Sequence, residues 1–307
     1  MDSLEATFKI QIELSTRSWL HFPDSTKARP ARLFHYTSQE GLLGIVTSNV
    51  LWATNTLYLN DSSELAYGLS VARTHLHAVV SESDVVGQFL RRAVGLLDLP
   101  FLLSGRQYYA CCFCEDPDLL SQWRGYADRG GGYAIGFDAE DLARAGTNPN
   151  LSLFSIDYGD GPNSDLLAHD IKALCQALSS CAEQSAGNED TLVSAACELL
   201  KLTLIFRLFW LKHPGFKEEQ EWRILANFDS ADVSRLRFRQ GQTTLVPYVE
   251  LGLADFGNRE KKLPIREVVY GPSTHPQMAS QCLESLFKKH GFDPPKIWGS
   301  TIPLRTP

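Results

Sequence analysis

The sequence predicts an α+β fold, and two features of the 307-residue chain point to it. Short segments rich in aromatic and small apolar residues, each the length of one strand, alternate with helical segments. Residues 164–211 instead repeat Leu and Ala at three- and four-residue intervals, which is typical of helices. Because no internal repeat, low-complexity tract or long linker interrupts the chain, we expect an N-terminal arm at residues 1–30 and one domain at 31–307, with a helical hairpin inserted at about 164–211.

The first half of the chain predicts strands and helices in alternation. The helix after the second strand begins where Asp61 or Ser62 can cap it. The three glycines at 130–132 lack the helix and the Lys-Ser/Thr of a phosphate-binding loop, so we interpret them as a tight connection between elements. The predicted elements are a strand at 33–38, a helix at 39–48, a strand at 50–53, a helix at 62–80, a central strand at 107–114, a short helix at 118–126 and a strand at 133–137.

The last hundred residues predict four further strands and one helix. The strands are expected at 221–226, 244–249, 265–270 and 296–300, and the helix at 276–290.

Composition and charge exclude several classes of protein. With 44% hydrophobic and 10% aromatic residues, the chain can bury a large core, which argues against disorder. A net charge of -7 argues against wholesale electrostatic binding of nucleic acid. No apolar stretch is long enough to span a bilayer and none resembles a secretion signal, so we expect a cytoplasmic protein without a membrane partner.

The seven cysteines fit reduced thiols better than a disulfide framework, because their number is odd and their spacing irregular. Cys111, Cys112 and Cys114 look superficially like a metal knuckle, but a zinc site needs a second pair of ligands. We therefore expect a buried strand and no metal. Cys114, at the end of that strand, is the one thiol kept as a site candidate.

Strand alternation brings polar side chains together at two distant places. His35 and Thr37 share one face of the first strand, which leaves them facing a cleft. Glu219, Glu221 and Arg223 share one face of a later strand, where they must be solvated or line a polar pocket. The plainer alternatives are a satisfied core or capping histidine and a weak edge-strand ion pair.

A series of short motifs resembles a widespread bacterial family known only as a domain of unknown function. The resemblance runs from about residue 32 to the C-terminus. The motifs that carry it are Phe34-His35-Tyr36-Thr37-Ser38, Leu51-Trp52, Leu59-Asn60-Asp61 with Glu64, Cys112-Phe113-Cys114-Glu115, Gln122-Trp123 with Tyr126-Ala127, Gly132 with Gly136-Phe137, Glu221-Trp222-Arg223 and Ser300-Thr301-Ile302-Pro303.

The opening motif, followed by Gly41-Leu42 and a helix, is also distantly similar to the histidine-class ADP-ribosyltransferases. That resemblance implies a split, mostly antiparallel sheet and NAD as substrate. It assigns catalysis to His35, to Glu221 and to one of Tyr109, Trp123 or Tyr126, with Tyr109 as the first choice. It also implies a set of residues that bind NAD, namely Thr37, Asn60, Trp123, Arg124, Tyr126 and Arg223.

The chemistry of ADP-ribose transfer suits these residue types. The nicotinamide glycosidic bond breaks through an oxocarbenium-like state, which a carboxylate such as Glu221 stabilises. A histidine can bind a ribose hydroxyl with one nitrogen while the protein fixes the other, and an aromatic ring can stack on nicotinamide. Arg124 or Arg223 could pair with the pyrophosphate.

The resemblance implies a macromolecular acceptor, or hydrolysis of NAD, in a bacterial toxin, effector or phage-defence protein that could have an antitoxin or immunity partner. The acceptor, protein or nucleic acid, stays open. Glu219-Gln220-Glu221 matches a Glu-x-Glu pair of the arginine-modifying transferases, but those enzymes carry arginine rather than histidine on the first strand.

Two alternatives belong to other classes. Asp61, Glu64, Glu219 and Glu221 with Lys212 could form a metal-dependent nuclease site, although Asn60 and Asp61 are also an ordinary helix cap. A non-catalytic binding or immunity module on the same fold is the other alternative.

Overall fold

A computed structural model describes residues 27–59, 63–79, 84–98, 102, 105–126, 132–144, 148–159, 166–184, 189–241, 243–256, 262–272 and 275–303. Most of the predicted N-terminal arm, residues 1–26, lies outside the described residues, as do Asn60 and Asp61. The chain divides into two compact units. The first comprises residues 1–26, 61–105 and 157–215, and the second comprises 27–60, 106–156 and 216–307.

Strands and helices alternate along the described chain, which confirms the predicted α+β class. The strands are β1 (Arg32–Thr37), β2 (Leu51–Asn55), β3 (Arg106–Phe113), β4 (Tyr133–Asp138), β5 (Leu151–Ser155), β6 (Trp222–Asp229), β7 (Leu236–Gln240), β8 (Leu245–Leu251), β9 (Ile265–Tyr270) and β10 (Lys296–Gly299). The α-helices are α1 (Gln39–Ser48), α2 (Ser63–Ala78), α3 (Asp84–Gly95), α4 (Leu120–Tyr126), α5 (Ala139–Ala143), α6 (Leu166–Gln184), α7 (Glu189–Trp210) and α8 (Pro276–Lys289).

The second unit carries all these strands, arranged in two sheets. One sheet has the order β1-β4-β9-β10 and the other the order β5-β6-β3-β2-β8-β7. Neighbouring strands are antiparallel except for β9 and β10, which run parallel. The sheets are therefore mixed and antiparallel respectively.

One hydrophobic cluster takes residues from both sheets. Leu33, Ile135 and Val268 enter it from the four-stranded sheet, while Cys111 and Ile224 enter it from the six-stranded sheet. Side chains alternate along a strand, so residues such as Cys112 and Arg223 lie on the opposite face of the six-stranded sheet. That second face is where the polar residues of the sheet collect.

A smaller cluster surrounds Trp123 of α4, whose side chain is fully buried. Its ring packs edge-on against Tyr36, with 4.8 Å between ring centroids. The indole nitrogen donates to Asp118 Oδ1 at 2.7 Å, and the Ser300 hydroxyl donates to the same oxygen at 2.5 Å. The Thr301 backbone N–H donates to Asp118 Oδ2 at 2.9 Å, so one carboxylate ties α4 to the segment after β10.

The first unit is helical in its described part and contains α2, α3, α6 and α7. The helices α6 and α7 occupy the tract for which the sequence predicts a hairpin, whereas α3 has no counterpart in the predicted elements. Within this unit Asp170 and Arg207 form a buried ion pair, with the Arg207 Nη2 2.7 Å from Asp170 Oδ2. None of the described helices combines the length and the apolar character needed to cross a membrane.

Candidate functional site

His35 is fixed by the backbone of a neighbouring strand. Its side chain is half-buried on β1, and Nδ1 lies 2.9 Å from the carbonyl oxygen of Cys112 on β3. A carbonyl can only accept a hydrogen bond, so Nδ1 carries the proton and donates. In the neutral ring Nε2 is therefore left as an acceptor.

The surroundings of His35 keep this ring neutral. Burial is the largest influence and lowers its pKa below the ordinary value of 6.5. The hydrogen bond to Cys112 opposes that shift, and the positive charge of Arg239 adds to it. At neutral pH the ring accepts through Nε2 rather than carrying a charge.

The sheet makes room for His35 where two strands diverge. Strand β2 pairs with β3 through Thr54 and Asn55 alone, although both strands are described over their full length. Beyond that point β1 approaches β3, since Phe34 and Cys114 exchange both backbone hydrogen bonds at 2.8 Å. The carbonyl of Cys112, next to this bridge, is thus available to the histidine.

Glu221 lies at the start of β6 and is held by Arg223. The backbone oxygen of Glu221 accepts from the N–H of Ile156 at 2.8 Å, which extends the β5–β6 ladder to this residue. The Arg223 Nε donates to Oε1 at 2.5 Å and Nη2 donates to Oε2 at 3.0 Å. Both residues are buried, with 5% and 3% of their surfaces exposed. This bidentate geometry fixes the plane of the carboxylate.

Cys112 links the histidine to the Glu221–Arg223 pair. It lies directly opposite Arg223, the partner of Glu221, in the β3–β6 ladder. Burial, and then the neighbouring Glu221 carboxylate, raise the pKa of this thiol well above 9.0, so it stays protonated at neutral pH. Cys112 thus holds His35 through its carbonyl and faces the Glu221–Arg223 pair across the β3–β6 ladder, while the His35 ring packs beside the core residues Cys111 and Phe113. The sequence analysis missed Cys112, although the alternation along the predicted strand already placed it opposite Cys111 and Phe113.

The backbone before Glu221 adopts an unusual conformation. Gln220 has a φ of 42°, in the left-handed region that favours glycine. The prediction that Glu219 and Glu221 share one strand face is wrong, because Glu219 ends a 3₁₀ helix over Pro214–Glu219 and β6 begins only at Trp222. The left-handed residue separates the two segments.

Two aromatic candidates lie away from this cluster. Tyr109 is buried on the core side of β3, the face opposite Cys112, and its hydroxyl donates to Gln107 Oε1. Trp123 is enclosed by Tyr36 and Asp118 as described above. The structure brings neither ring to Cys112.

The other predicted residues are dispersed. Arg124 and Tyr126 are exposed on α4. Thr37 follows His35 on the same side of β1, and its Oγ1 packs so closely on Gly41 that a Cβ there would lie 1.9 Å away. Asn60 falls outside the described residues.

The thiol that the sequence analysis favoured has a different environment from Cys112. Cys114 is buried in the cluster around Trp123, and burial raises its pKa to about 12. A thiol that stays protonated at neutral pH is a poor nucleophile and a poor metal ligand. Among the described residues no group of three or more His, Cys, Asp or Glu side chains could hold a metal ion. Asp61 of the nuclease alternative is outside those residues.

Comparison with known proteins finds one family model that matches part of the chain. A domain described as "Protein of unknown function (DUF2971)" is found at residues 122–224. The matched segment begins at Gln122 and includes Glu221 and Arg223, whereas His35 and Cys112 precede it. No curated protein matches the chain, and no solved structure does.

Proposed function

We propose that this protein consumes NAD, transferring ADP-ribose to a macromolecule or to water, on a fold similar to that of the histidine-class ADP-ribosyltransferases. The observation that carries the proposal is that β3 holds both residues near Cys112: the Cys112 carbonyl accepts from His35, and Cys112 lies opposite Arg223, the partner of Glu221. The two residues are far apart in sequence, and a shared anchor gives them a fixed relation.

Glu221 supplies the negative charge in this proposal. As the glycosidic bond to nicotinamide breaks, positive charge develops on the ribose, and a carboxylate beside it lowers the barrier. Burial of Glu221 places this charge in a region of low dielectric, where its field is strong. Arg223 then acts as a positioning residue, because both of its described contacts to Glu221 fix the carboxylate plane.

His35 orients the substrate. Its donor nitrogen is occupied by the Cys112 carbonyl, so Nε2 accepts a hydrogen bond from a ribose hydroxyl. Thr37 follows on the same side of β1 and offers a hydroxyl to the same molecule. A second polar contact of this kind would keep the ribose in one orientation during bond cleavage.

The resemblance of the chain to a bacterial family of unknown function supports a biological context for this activity. The DUF2971 match spans the Gln122-Trp123 and Glu221-Trp222-Arg223 motifs, and we extend membership of that bacterial family to the motifs before and after it. The division of the second unit into two sheets is compatible with a split ADP-ribosyltransferase-like sheet. On this resemblance the protein acts as a toxin, effector or phage-defence enzyme with a protein or nucleic-acid acceptor, and an antitoxin or immunity protein would restrain it.

A non-catalytic module is the second candidate, and one observation favours it. Glu221 and Arg223 satisfy each other in a buried bidentate pair, as a purely structural ion pair would. Such a module would keep the pair for packing and would leave NAD unchanged.

Turnover of NAD by purified protein separates the two candidates. We would incubate the protein with etheno-NAD, alone and with cell lysate, beside the Glu221→Gln and His35→Ala variants. Glu219→Gln is the matched control, because it makes the same chemical change two residues away on the 3₁₀ helix. The account expects nicotinamide release or label transfer that is lost in the first two variants and kept in the control.

Absence of turnover and of any NAD-induced rise in melting temperature in the wild-type protein would favour the binding module instead. Activity that survives in Glu221→Gln and in His35→Ala would show that the catalytic assignment is wrong.

A further inference from the structure

Arg239 reaches across the six-stranded sheet towards the region of His35. It lies on the edge strand β7, and its Nη2 donates to Thr54 Oγ1 on β2 at 3.1 Å. The strand order β2-β8-β7 means that the side chain passes over β8 to make this bond. Arg239 is itself exposed, and the buried Thr54 fixes one of its guanidinium nitrogens against the sheet.

Arg239 has no carboxylate partner among the described residues, whereas Arg235 and Arg223 of the same unit have one. Arg235 pairs with Asp255 at 3.0 Å, and Arg223 is taken up by Glu221. A guanidinium has five N–H donors, and the bond to Thr54 uses one of them. In a chain with a net charge of -7, a positioned arginine without an acid is a site that attracts anions.

Two aromatic side chains, Tyr248 and Trp52, lie on the face of the sheet where Arg239 contacts Thr54. Tyr248 lies opposite Thr54 in the β2–β8 ladder, and its ring packs against Trp52 with 4.8 Å between centroids. The acid on this face of β8, Glu250, lies opposite Trp52, one side-chain position along the ladder from Thr54. Thr54 lies opposite Ala110 in the β2–β3 ladder, two residues before the Cys112 whose carbonyl holds His35, and the charge of Arg239 contributes to the lowered pKa of His35.

We propose that Arg239, held by Thr54, forms a phosphate-binding subsite that takes the pyrophosphate of NAD. The identity of the nucleotide rests on the proposed function, whereas the affinity for phosphate does not. In NAD the pyrophosphate is attached to the nicotinamide ribose through the 5′ carbon, so a ribose at His35 leaves its phosphates within a short distance. A guanidinium binds phosphate oxygens through two parallel N–H bonds. Arg223 is a sequence-based candidate for this role, but its Nε and Nη2 groups already donate to the Glu221 carboxylate.

The direct test is binding of inorganic pyrophosphate by calorimetry, without divalent cations, to the full chain. We expect Arg239→Gln to weaken pyrophosphate binding at least about tenfold, and Arg239→Lys to recover only part of it, because a lysine lacks the planar fork. Arg237→Gln is the matched control. It removes the same charge from the same strand, but the Arg237 Nη1 already donates to Ser234 O and Leu236 O, both at 3.1 Å. Its binding should stay within about threefold of wild type.

The result that overturns the subsite is wild-type protein that does not bind pyrophosphate, or equal weakening in Arg239→Gln and Arg237→Gln, since the latter means a diffuse electrostatic effect. NAD turnover is measured separately on the same preparations. Pyrophosphate binding that depends on Arg239 in a protein without NAD turnover would uphold the subsite while the proposed function fails. If the wild-type protein does not bind pyrophosphate and NAD turnover is unaffected in Arg239→Gln, the subsite is wrong and the proposed function stands.

Discussion

Among the residues that the structure describes, each compact unit contains a buried arginine–carboxylate pair, and these two pairs differ in what surrounds them. In the helical unit Asp170 and Arg207 join α6 to α7, and the Arg207 guanidinium lies 5.4 Å from the centroid of the Trp210 ring. In the sheet unit Glu221 directly precedes β6 and Arg223 is its second residue, so their pairing spans only two residues of the chain. The first pair therefore stabilises the packing of two helices, whereas the second fixes the orientation of the Glu221 carboxylate.

The neighbours of the two carboxylates support this distinction. Beside Glu221 are a protonated thiol, a left-handed residue and, through Cys112, a neutral histidine. Buried polar groups of this variety, next to an unusual backbone conformation, are typical of functional sites. Burial alone does not distinguish a structural ion pair from a catalytic one, because both pairs are buried. The residues that surround each carboxylate make the distinction.

Removing the structural pair should give the largest loss of stability. Asp170→Asn leaves the buried Arg207 charge without its partner, which costs about 3–5 kcal/mol of unfolding free energy. Denaturant unfolding measures this loss. The folded fraction should keep its NAD turnover per molecule, and a specific loss of turnover would erase the distinction between the pairs.

Changing the second carboxylate should separate activity from stability. Glu221→Gln also removes a carboxylate charge from a buried arginine pair, so we expect a loss of stability. In addition, NAD turnover corrected for folded protein should fall by about 10²–10³. Arg223→Lys keeps the charge but not the bidentate fork, and should lower kcat more than it raises KM, because it changes carboxylate position rather than substrate contact.

The pH dependence of stability tests the neutral state of His35. Its pKa is lowered in the folded protein, so the unfolded chain binds more protons as the pH falls below about 6.5, and stability decreases there. The slope reaches at most about 1.4 kcal/mol per pH unit for one group. His35→Asn keeps an N–H for the Cys112 carbonyl but cannot titrate.

Unfolding of the wild type and of His35→Asn should therefore be compared between pH 7.5 and 5.5. We expect the wild type to lose more stability over this range. Parallel curves for the two proteins would mean that His35 titrates as in the unfolded chain.

The smallest expected effect concerns Gln220. A left-handed backbone costs a non-glycine residue on the order of 1 kcal/mol, so Gln220→Gly should leave stability unchanged or raise it slightly. Glu218→Gly, on the adjacent 3₁₀ helix, should lower stability by about 0.5–1 kcal/mol. A thermal melt of both variants gives the answer, and a clear destabilisation by Gln220→Gly would show that no strain is stored at this residue.

The sequence predicted much of the fold because its signals are local. Aromatic and small apolar runs marked β3 and β4, and Leu and Ala periodicity marked α6 and α7. Strands β5 and β7 were missed. Strand β7 has alternating exposed arginines rather than an apolar face, since it is an edge strand with little to bury.

The site was predicted only in part, because its geometry depends on strand pairing. The sequence picked out His35 and Glu221 but gave no register, and only the β3–β6 ladder places Cys112 opposite Arg223. The sequence analysis expected Trp123 to stack on a ligand. In the structure its side chain is fully buried, and its indole nitrogen donates to Asp118. Arg239 lay in a strand that the sequence did not reveal, so its bond to Thr54 could not be anticipated.

The measurement that tests the central claim most directly is NAD turnover per folded molecule in Glu221→Gln and Asp170→Asn, assayed together at matched folded fractions. The two variants remove one carboxylate charge each from a buried arginine pair and differ in the neighbours of that pair. The account predicts wild-type turnover for Asp170→Asn and a loss of about 10²–10³ for Glu221→Gln. Equal turnover in the two variants would contradict it, because both pairs would then be structural.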